Sequence, residues 1–344
     1  SFKNRKQITT TMKALQITGY GDVQDNLAFN DVERPKIKEN QVLIEVYAAS
    51  TNPIDFKIIE CHLKRVIKLS FPTGIGYDVA GVVIEKGSDV AGLNVGDEVF
   101  SSVPQSCRGT FAEFVAIDDL MVWLKPTNLN FEQSAALPMV GLTSIQAFEK
   151  ADLKSGDKVL IYAGSGGIGS FAIQYAKSRG AYVYTTTSTP NVGWVKDLGA
   201  DRVIDYKTEN YLDIVKDVDI VYDTLGGEHT LDAFRVIKEE GKVVTLVGPV
   251  DDETAKEMGL NVIARLYLYF KRLKITKLIN KKSAYYKLMF MMPNRHNLKD
   301  IKKLAEEGAV KPVIDKTFPF SEAIEALRYQ KSGRAKGKII IKMK

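Results

Sequence analysis

One heptapeptide, Ala163-Gly164-Ser165-Gly166-Gly167-Ile168-Gly169, constrains the fold of this 344-residue chain more than any other segment. The short apolar run Lys158 to Ala163 precedes it. Phe171-Ala172-Ile173-Gln174-Tyr175-Ala176, apolar at helical spacing, follows it. Gly164, Gly166 and Gly169 therefore fit G-x-G-x-x-G between a predicted strand and a predicted helix. In that setting the first glycine permits a tight turn and the second lets backbone approach a pyrophosphate. The third lets the helix pack closely on its strand. The helix N-terminus adds unpaired N–H groups and the positive end of its dipole. A glycine-rich connector would show the same letters, so the flanking rhythm has to decide. Ala181–Thr186, Arg202–Asp205, Val218–Tyr222 and Lys242–Val247 read as further buried strands with helical stretches between them. That alternation predicts an α/β, doubly wound parallel sheet carrying a dinucleotide.

The end of the second strand bears on which dinucleotide. A carboxylate there would bind an adenosine ribose 2′-OH and repel a 2′-phosphate. The sequence offers Thr185-Thr186-Thr187-Ser188-Thr189-Pro190-Asn191, hydroxyls and an amide with no negative charge. NADP(H) is the expected cofactor, with Thr187 and Ser188 at the phosphate, unless Asp201 or Asp205 reaches back from the next strand.

Before residue 135 the rhythm is different. Val42–Ala48, Val79–Glu85, Asp97–Val103 and Thr110–Ile117 read as short strands punctuated by Gly and Pro, the look of an irregular, mostly β, barrel-like domain. Leu298–Glu307 reads as a helix and Lys338–Lys342 as a closing strand that returns to this first domain. The expected division is residues 12–134 with 294–344, and 135–293 between them. Residues 1–11 are expected to be a disordered extension without the apolar core of a secretory signal.

Charge and cysteine content narrow the partners. The net charge of +6 is uneven: Met258 to Lys299 contains no Asp or Glu but ten Lys or Arg. Without that stretch, 38 basic and 42 acidic residues remain, so a nucleic-acid partner is not expected. The stretch also carries Ile263, Leu266, Leu268, Phe270, Leu273 and Leu278. It reads as an amphipathic helix with a solvated basic face over a core stripe, with peripheral membrane contact through 263–288 as the sharper alternative. Only Cys61 and Cys107 are present, which excludes a disulfide scaffold and points to the cytoplasm. No run of about 18 apolar residues occurs, so no transmembrane helix is expected.

Further motifs name a family. Ala49-Ser50-Thr51-Asn52-Pro53-Ile54-Asp55-Phe56-Lys57, Gly76-Tyr77-Asp78-Val79-Ala80-Gly81, Val95-Gly96-Asp97-Glu98-Val99 and Gly109-Thr110-Phe111-Ala112-Glu113-Phe114 are four of its marks. Leu137-Pro138-Met139-Val140-Gly141-Leu142-Thr143-Ser144, the glycine loop and Leu198-Gly199-Ala200-Asp201 complete the set. With these the chain resembles the zinc-free medium-chain dehydrogenase/reductases, in their quinone oxidoreductase (zeta-crystallin-like) and enone reductase branch. The resemblance implies a GroES-like catalytic domain, a Rossmann domain, a substrate cleft between them and a homodimer. It places Asn52, Asp55 and Tyr77 at the substrate as candidate catalytic residues, with Lys57 a weaker candidate. It adds Thr143, Tyr206, Gly248, Phe290, Met291 and Lys338 to the cofactor residues, with Phe290 and Met291 on the last Rossmann strand and Lys338 reaching the phosphates. Zinc-dependent relatives carry Cys near the position of Asn52, Gly-His-Glu in place of Gly76-Tyr77-Asp78, and a four-cysteine lobe. All are missing, and no metal is expected.

Without a Lewis acid, alcohol oxidation at neutral pH is disfavoured. A quinone or α,β-unsaturated carbonyl accepts hydride at carbon if hydrogen bonds meet the charge growing on oxygen. The expected activity is therefore NADPH-dependent reduction of a small lipophilic electrophile of that kind. An enoyl thioester reductase, or a non-catalytic NADPH-binding sensor, stands beside it. Each site residue also has a structural role open to it. Asn52-Pro53 could simply make a turn, Asp55 could cap the following helix and Tyr77 could be a core residue.

Overall fold

The computed structural model describes residues 10–60 and 67–344. The chain divides into two compact units. The first comprises residues up to Met139 with Pro293–Glu307 and Pro312–Lys344. The second comprises Val140–Met292 with Gly308–Lys311. The first boundary falls inside the helix Pro138–Lys150, later than residue 134, and a short return at 308–311 belongs with the second unit.

The first unit starts earlier than expected. β1 (Thr11–Ile17) pairs antiparallel with β2 (Leu27–Glu33), and Thr11 already faces Glu33. The extension read over 1–11 therefore ends by Thr10, and residues 1–9 lie outside the described residues. β3 (Gln41–Ser50), β4 (Thr73–Gly74), β5 (Asp78–Lys86), β6 (Glu98–Ser102), β7 (Phe114–Asp118) and β8 (Val122–Leu124) follow. The second unit contributes β9 (Lys158–Ile161), β10 (Tyr182–Thr187), β11 (Arg202–Asp205), β12 (Val218–Asp223), β13 (Ile237–Thr245) and β14 (Tyr285–Leu288). The chain then returns with β15 (Ile314–Pro319) and β16 (Lys338–Lys342).

In the first unit, β15-β16-β3-β5-β6-β8 form one sheet with β7 also on β3, and β2-β1-β4 form a smaller one. Alternation along β3 and β5 drives Val42, Ile44, Val46, Val79 and Val83 into one cluster with Val99 and Ile117. Ile339 and Ile341 of β16 enter a second cluster with Leu15, Ile17 and Phe111, so the last strand seals the first unit.

The second unit's sheet runs β11-β10-β9-β12-β13-β14, every pair parallel. Counted within the unit this is the order 3-2-1-4-5-6, in which the chain leaves β9 in one direction and later resumes on its other side. Val159, Leu160, Ile161, Ile220 and Val221 are all fully or nearly fully buried, as both-faces-covered parallel strands require.

The basic segment departs from the single amphipathic helix expected of it. It forms two helices, Val262–Lys271 and Leu273–Lys282, and then β14. Among the described residues no helix is long and apolar enough to cross a membrane.

Candidate functional site

The glycine loop leaves β9 at the point where the strand order reverses. Ala163 adopts φ +54°, and the Gly164 N–H donates to Thr186 O (2.9 Å), which turns the chain sharply off the strand. Gly166 caps the helix Gly167–Ser178. A Cβ on Gly164 would stand 2.4 Å from Thr185 Oγ1, and one on Gly169 would stand 2.2 Å from Ala163 O. Only glycine permits this closeness of loop, strand and helix. Ser165 to Ile168 are half-buried, and the first N–H groups of the helix have no partner within it.

The neighbouring strands finish the cradle. Thr187, the last residue of β10, is buried, and its Oγ1 has no partner. An unpaired hydroxyl in that position fits an absent ligand oxygen. Ser188 Oγ accepts from Asn191 Nδ2 (3.1 Å). Both carboxylates that could have reached back are engaged locally. Asp201 takes Lys177 Nζ and the Val183 N–H, each at 2.8 Å, and Asp205 takes the Lys207 N–H (3.0 Å). Tyr206 follows β11 directly, is largely exposed, and donates its N–H to Thr187 O (3.1 Å).

Asp223, at the end of β12, is a residue that sequence reasoning missed. Its buried carboxylate accepts the N–H groups of Leu225 and Gly226 and the hydroxyls of Thr230 and Thr245. Thr245 Oγ1 in turn accepts the Gly248 N–H (2.9 Å). One carboxylate thus sets the loops after β12 and β13, including Gly248, on the same sheet edge as the glycine loop. An Asp closing an apolar strand was the available signal. Thr143 is buried on the helix Pro138–Lys150. Phe290 and Met291 are not on the last strand, which ends at Leu288. They lie just beyond it, with Phe290 exposed.

In the first unit, Asn52 and Asp55 join a buried polar cluster. Asn52 ends the extended chain after β3, and Pro53 starts the helix Pro53–Ile59. The Asn52 N–H donates to Asp55 Oδ2 (2.7 Å), one half of a capping box. Asn52 Nδ2 donates to Asp78 Oδ2 (2.9 Å), which also accepts from Ser50 Oγ (2.8 Å). Lys338, which the resemblance carries toward the phosphates, joins this cluster within the first unit. Its Nζ donates to Thr51 O (2.8 Å), Asn52 Oδ1 (2.6 Å) and Asp78 Oδ2 (3.2 Å), which uses all three of its protons. Sequence reasoning counted Asp78 only as part of a family mark. A carboxylate opening the apolar strand Val79-Ala80-Gly81-Val82-Val83 needed a buried cation, and that was the signal for this pair.

Asp55 Oδ1 is buried with no partner. Burial pushes the carboxyl up to about 7, against the pull of the Asn52 N–H and of Lys338. Tyr77 is buried and its hydroxyl donates to Gln105 Oε1. Burial, with Asp55 nearby, raises its pKa and keeps the phenol neutral. Arg108, bonded to Gly74 O (2.7 Å) and Thr73 Oγ1 (2.8 Å), is the nearby cation that opposes both shifts. Lys57 stands on the same short helix. Cys61 and His62 lie outside the described residues.

Comparison with known proteins gives a consistent result over almost the whole chain. Residues 38–127 match the alcohol dehydrogenase GroES-like domain, and residues 198–341 match a family described as zinc-binding dehydrogenase. The chain is 38% identical over 350 residues to the 2-methylene-furan-3-one reductase of Solanum lycopersicum, spanning 97% of this chain and 80% of that one. It is 35% identical over 344 residues to the chloroplastic NADPH-dependent alkenal/one oxidoreductase of Arabidopsis thaliana, with the same coverage. Among solved structures, the quinone oxidoreductase of Coxiella burnetii superposes with a TM-score of 0.82 at 34% identity, covering 97% of this chain and all of that one.

The zinc in the matched family description does not fit the residues found here. Around Asn52 the donors are an amide, a phenol, a carboxyl of raised pKa and a carboxylate already bound by an ammonium. A zinc site needs several free thiolate, imidazole or carboxylate ligands, and the two carboxyls here are either protonated by burial or already paired with Lys338. Among the described residues no group of three or more His, Cys, Asp or Glu could hold a metal.

Proposed function

The chain belongs to the medium-chain dehydrogenase/reductase family, in its quinone oxidoreductase and enone reductase branch, and from that premise we propose a zinc-independent, NADPH-dependent reductase of small lipophilic quinones or α,β-unsaturated carbonyls. The observation that carries the reading is the donor set around Asn52. It supplies protic groups, the Asn52 amide and the Tyr77 phenol, suited to a carbonyl oxygen, and among the described residues no group of three His, Cys, Asp or Glu stands ready to hold a metal.

The second unit would hold the nucleotide. Gly164, Ser165, Gly166, Gly167, Ile168 and Gly169 would take the pyrophosphate, Thr187 and Ser188 the 2′-phosphate, and Tyr206 the adenosine end. Gly248, Thr143, Phe290 and Met291 would line the nicotinamide half. Bound NADPH supplies the hydride. The first unit's contribution is protic: Tyr77 stays a neutral phenol, and Asp55 still holds a proton near neutral pH. Asn52 is held in place by Asp78 and Lys338, so its amide is oriented before substrate arrives. A homodimer is part of the same reading, supported by β14, which pairs only with β13 and leaves its other edge open among the described residues.

The test is oxidation of NADPH, with NADH as control, against quinones, 2-alkenals, enones and saturated aldehydes. Turnover of the conjugated acceptors that favours NADPH and survives chelators is the expected result. Reduction of saturated aldehydes alone, or loss of activity on chelation, would overturn it.

A further inference from the structure

The helix Val262–Lys271 buries none of its residues. Ile263, Leu266, Tyr267 and Phe270 recur at three- and four-residue spacing and form one outward stripe, with Ile263 81% and Phe270 60% exposed. The helix is nevertheless firmly built. Asn261 caps its start by accepting the Ala264 N–H (2.9 Å), and Arg265 grips Asp252 with two bonds of 3.0 Å. At its end, buried Arg272 donates to Val250 O (3.1 Å) and lies over the Tyr269 ring. The apolar side is thus fixed outward.

The next helix, Leu273–Lys282, does the opposite. Ile275 enters the core with Leu278 and Ile279 against it, while Lys274, Lys277 and Lys281 face solvent. With Lys271, whose ammonium meets only the Tyr267 ring, these cations have no acidic partner among the described residues. No acid occurs anywhere from Met258 to Lys299. The expected core stripe therefore holds for the second helix and fails for the first.

We propose that this face seats on an anionic phospholipid bilayer, with the Ile263–Phe270 stripe in the headgroup–acyl boundary and the lysines against lipid phosphates. The outward apolar and aromatic stripe and the unpaired lysines of the next helix, with the neighbouring Asp252 carboxylate already held by Arg265, match such a surface in both hydrophobicity and charge. A second copy of the chain matches it less well. Across a two-fold axis the same patch would meet itself, setting like charges against one another. The proposal does not rest on the reductase reading, because binding is measured without substrate.

The experiment is flotation of the full chain with vesicles of phosphatidylcholine alone or mixed with phosphatidylglycerol. The panel is the parent chain, the pair Ile263→Ser/Phe270→Ser, and the triple Lys274→Glu/Lys277→Glu/Lys281→Glu. NADPH affinity and melting temperature confirm that the variants fold. Binding to the mixed vesicles at low salt is expected, weakened about tenfold or more by high salt, by removal of the anionic lipid and by either variant. No flotation at low salt overturns the proposal, as does flotation that both variants leave unchanged. A parent dimer that Ile263→Ser/Phe270→Ser converts to monomer also overturns it, because the face would then be covered by a second copy.

Discussion

Lys338 Nζ lies 3.2 Å from Asp78 Oδ2, with both side chains buried, and the pair reaches across β3 to join β16 to β5. The strand between them ends at Ser50, and Ser50 and the following Thr51 and Asn52 each hydrogen-bond to one or other member of the pair. The ion pair therefore secures the closing strand and fixes Asn52 at once. Breaking a buried pair leaves an uncompensated charge, at a cost of about 3–5 kcal/mol, whereas removing both charges costs less. Asp78→Asn and Lys338→Met should each destabilise the first unit by about that amount, and the double substitution by less than their combined loss. Urea unfolding followed by Trp123, in a Trp194→Phe background, reads the first unit alone. Additive losses would show that the two groups do not act as a pair.

Asp55 makes stability depend on pH with a definite sign. Its carboxyl titrates at about 7 when folded, raised by burial from the ordinary 3.8. Between those values the folded chain binds more protons than the unfolded chain, so this group's contribution to stability falls as pH rises through that window. The destabilisation is complete above it. Asp55→Asn, which keeps an acceptor for the Asn52 N–H, should flatten the slope of stability against pH by up to about 1.4 kcal/mol per unit. The variant should gain on the parent chain at pH 8 and not at pH 4. Parallel unfolding curves at both pH values for the two proteins would exclude a titrating Asp55.

The fold was legible where a local rule and the strand rhythm agreed. The glycine loop sits at the switch point that its spacing requires, and Lys338–Lys342 is the closing strand its apolar run suggested. What escaped depended on partners distant in sequence. Tyr285–Leu288 falls within the segment read as one amphipathic helix, yet it is a strand on which Lys287 is buried, satisfied by Glu253 (3.0 Å) and Glu257 (2.8 Å). The resemblance carries Lys338 toward the phosphates, and within the first unit its partner is an anion that no local pattern announces, Asp78, 260 positions earlier. Periodicity records which face is apolar, and it carries no record of which buried charge finds which.

Two glycines of the loop should fail in different ways. A Cβ on Gly166 would come no nearer than 3.4 Å to Ala163 O, so Gly166→Ala should fold with nearly the parent melting temperature. Its methyl group would stand where the pyrophosphate approaches, and NADPH affinity should fall by roughly tenfold or more. Gly169→Ala would set a methyl 2.2 Å from Ala163 O, so the helix must shift off the strand, and stability should fall by about 1–3 kcal/mol. Titration of tyrosine and tryptophan fluorescence with NADPH, beside thermal unfolding, separates the two outcomes. Equal loss of stability in both variants would mean that the loop is a packing element and not a nucleotide cradle.

The cofactor preference can be moved from the end of β10. Thr187 is buried with a free hydroxyl oxygen, Ser188 follows it, and the carboxylates of Asp201 and Asp205 are held by Lys177 and by backbone N–H groups. No negative charge is therefore free to oppose a 2′-phosphate there. Ser188→Asp would introduce one. An exposed carboxylate beside a phosphate of like charge should raise KM for NADPH roughly tenfold, while leaving NADH almost unaffected or improving it through a bond to the ribose 2′-OH. The informative quantity is the ratio of kcat/KM for the two nucleotides, because a general loss of activity cancels from it. A ratio unchanged by Ser188→Asp would place the 2′-phosphate elsewhere and remove the basis for preferring NADPH that this strand end provides.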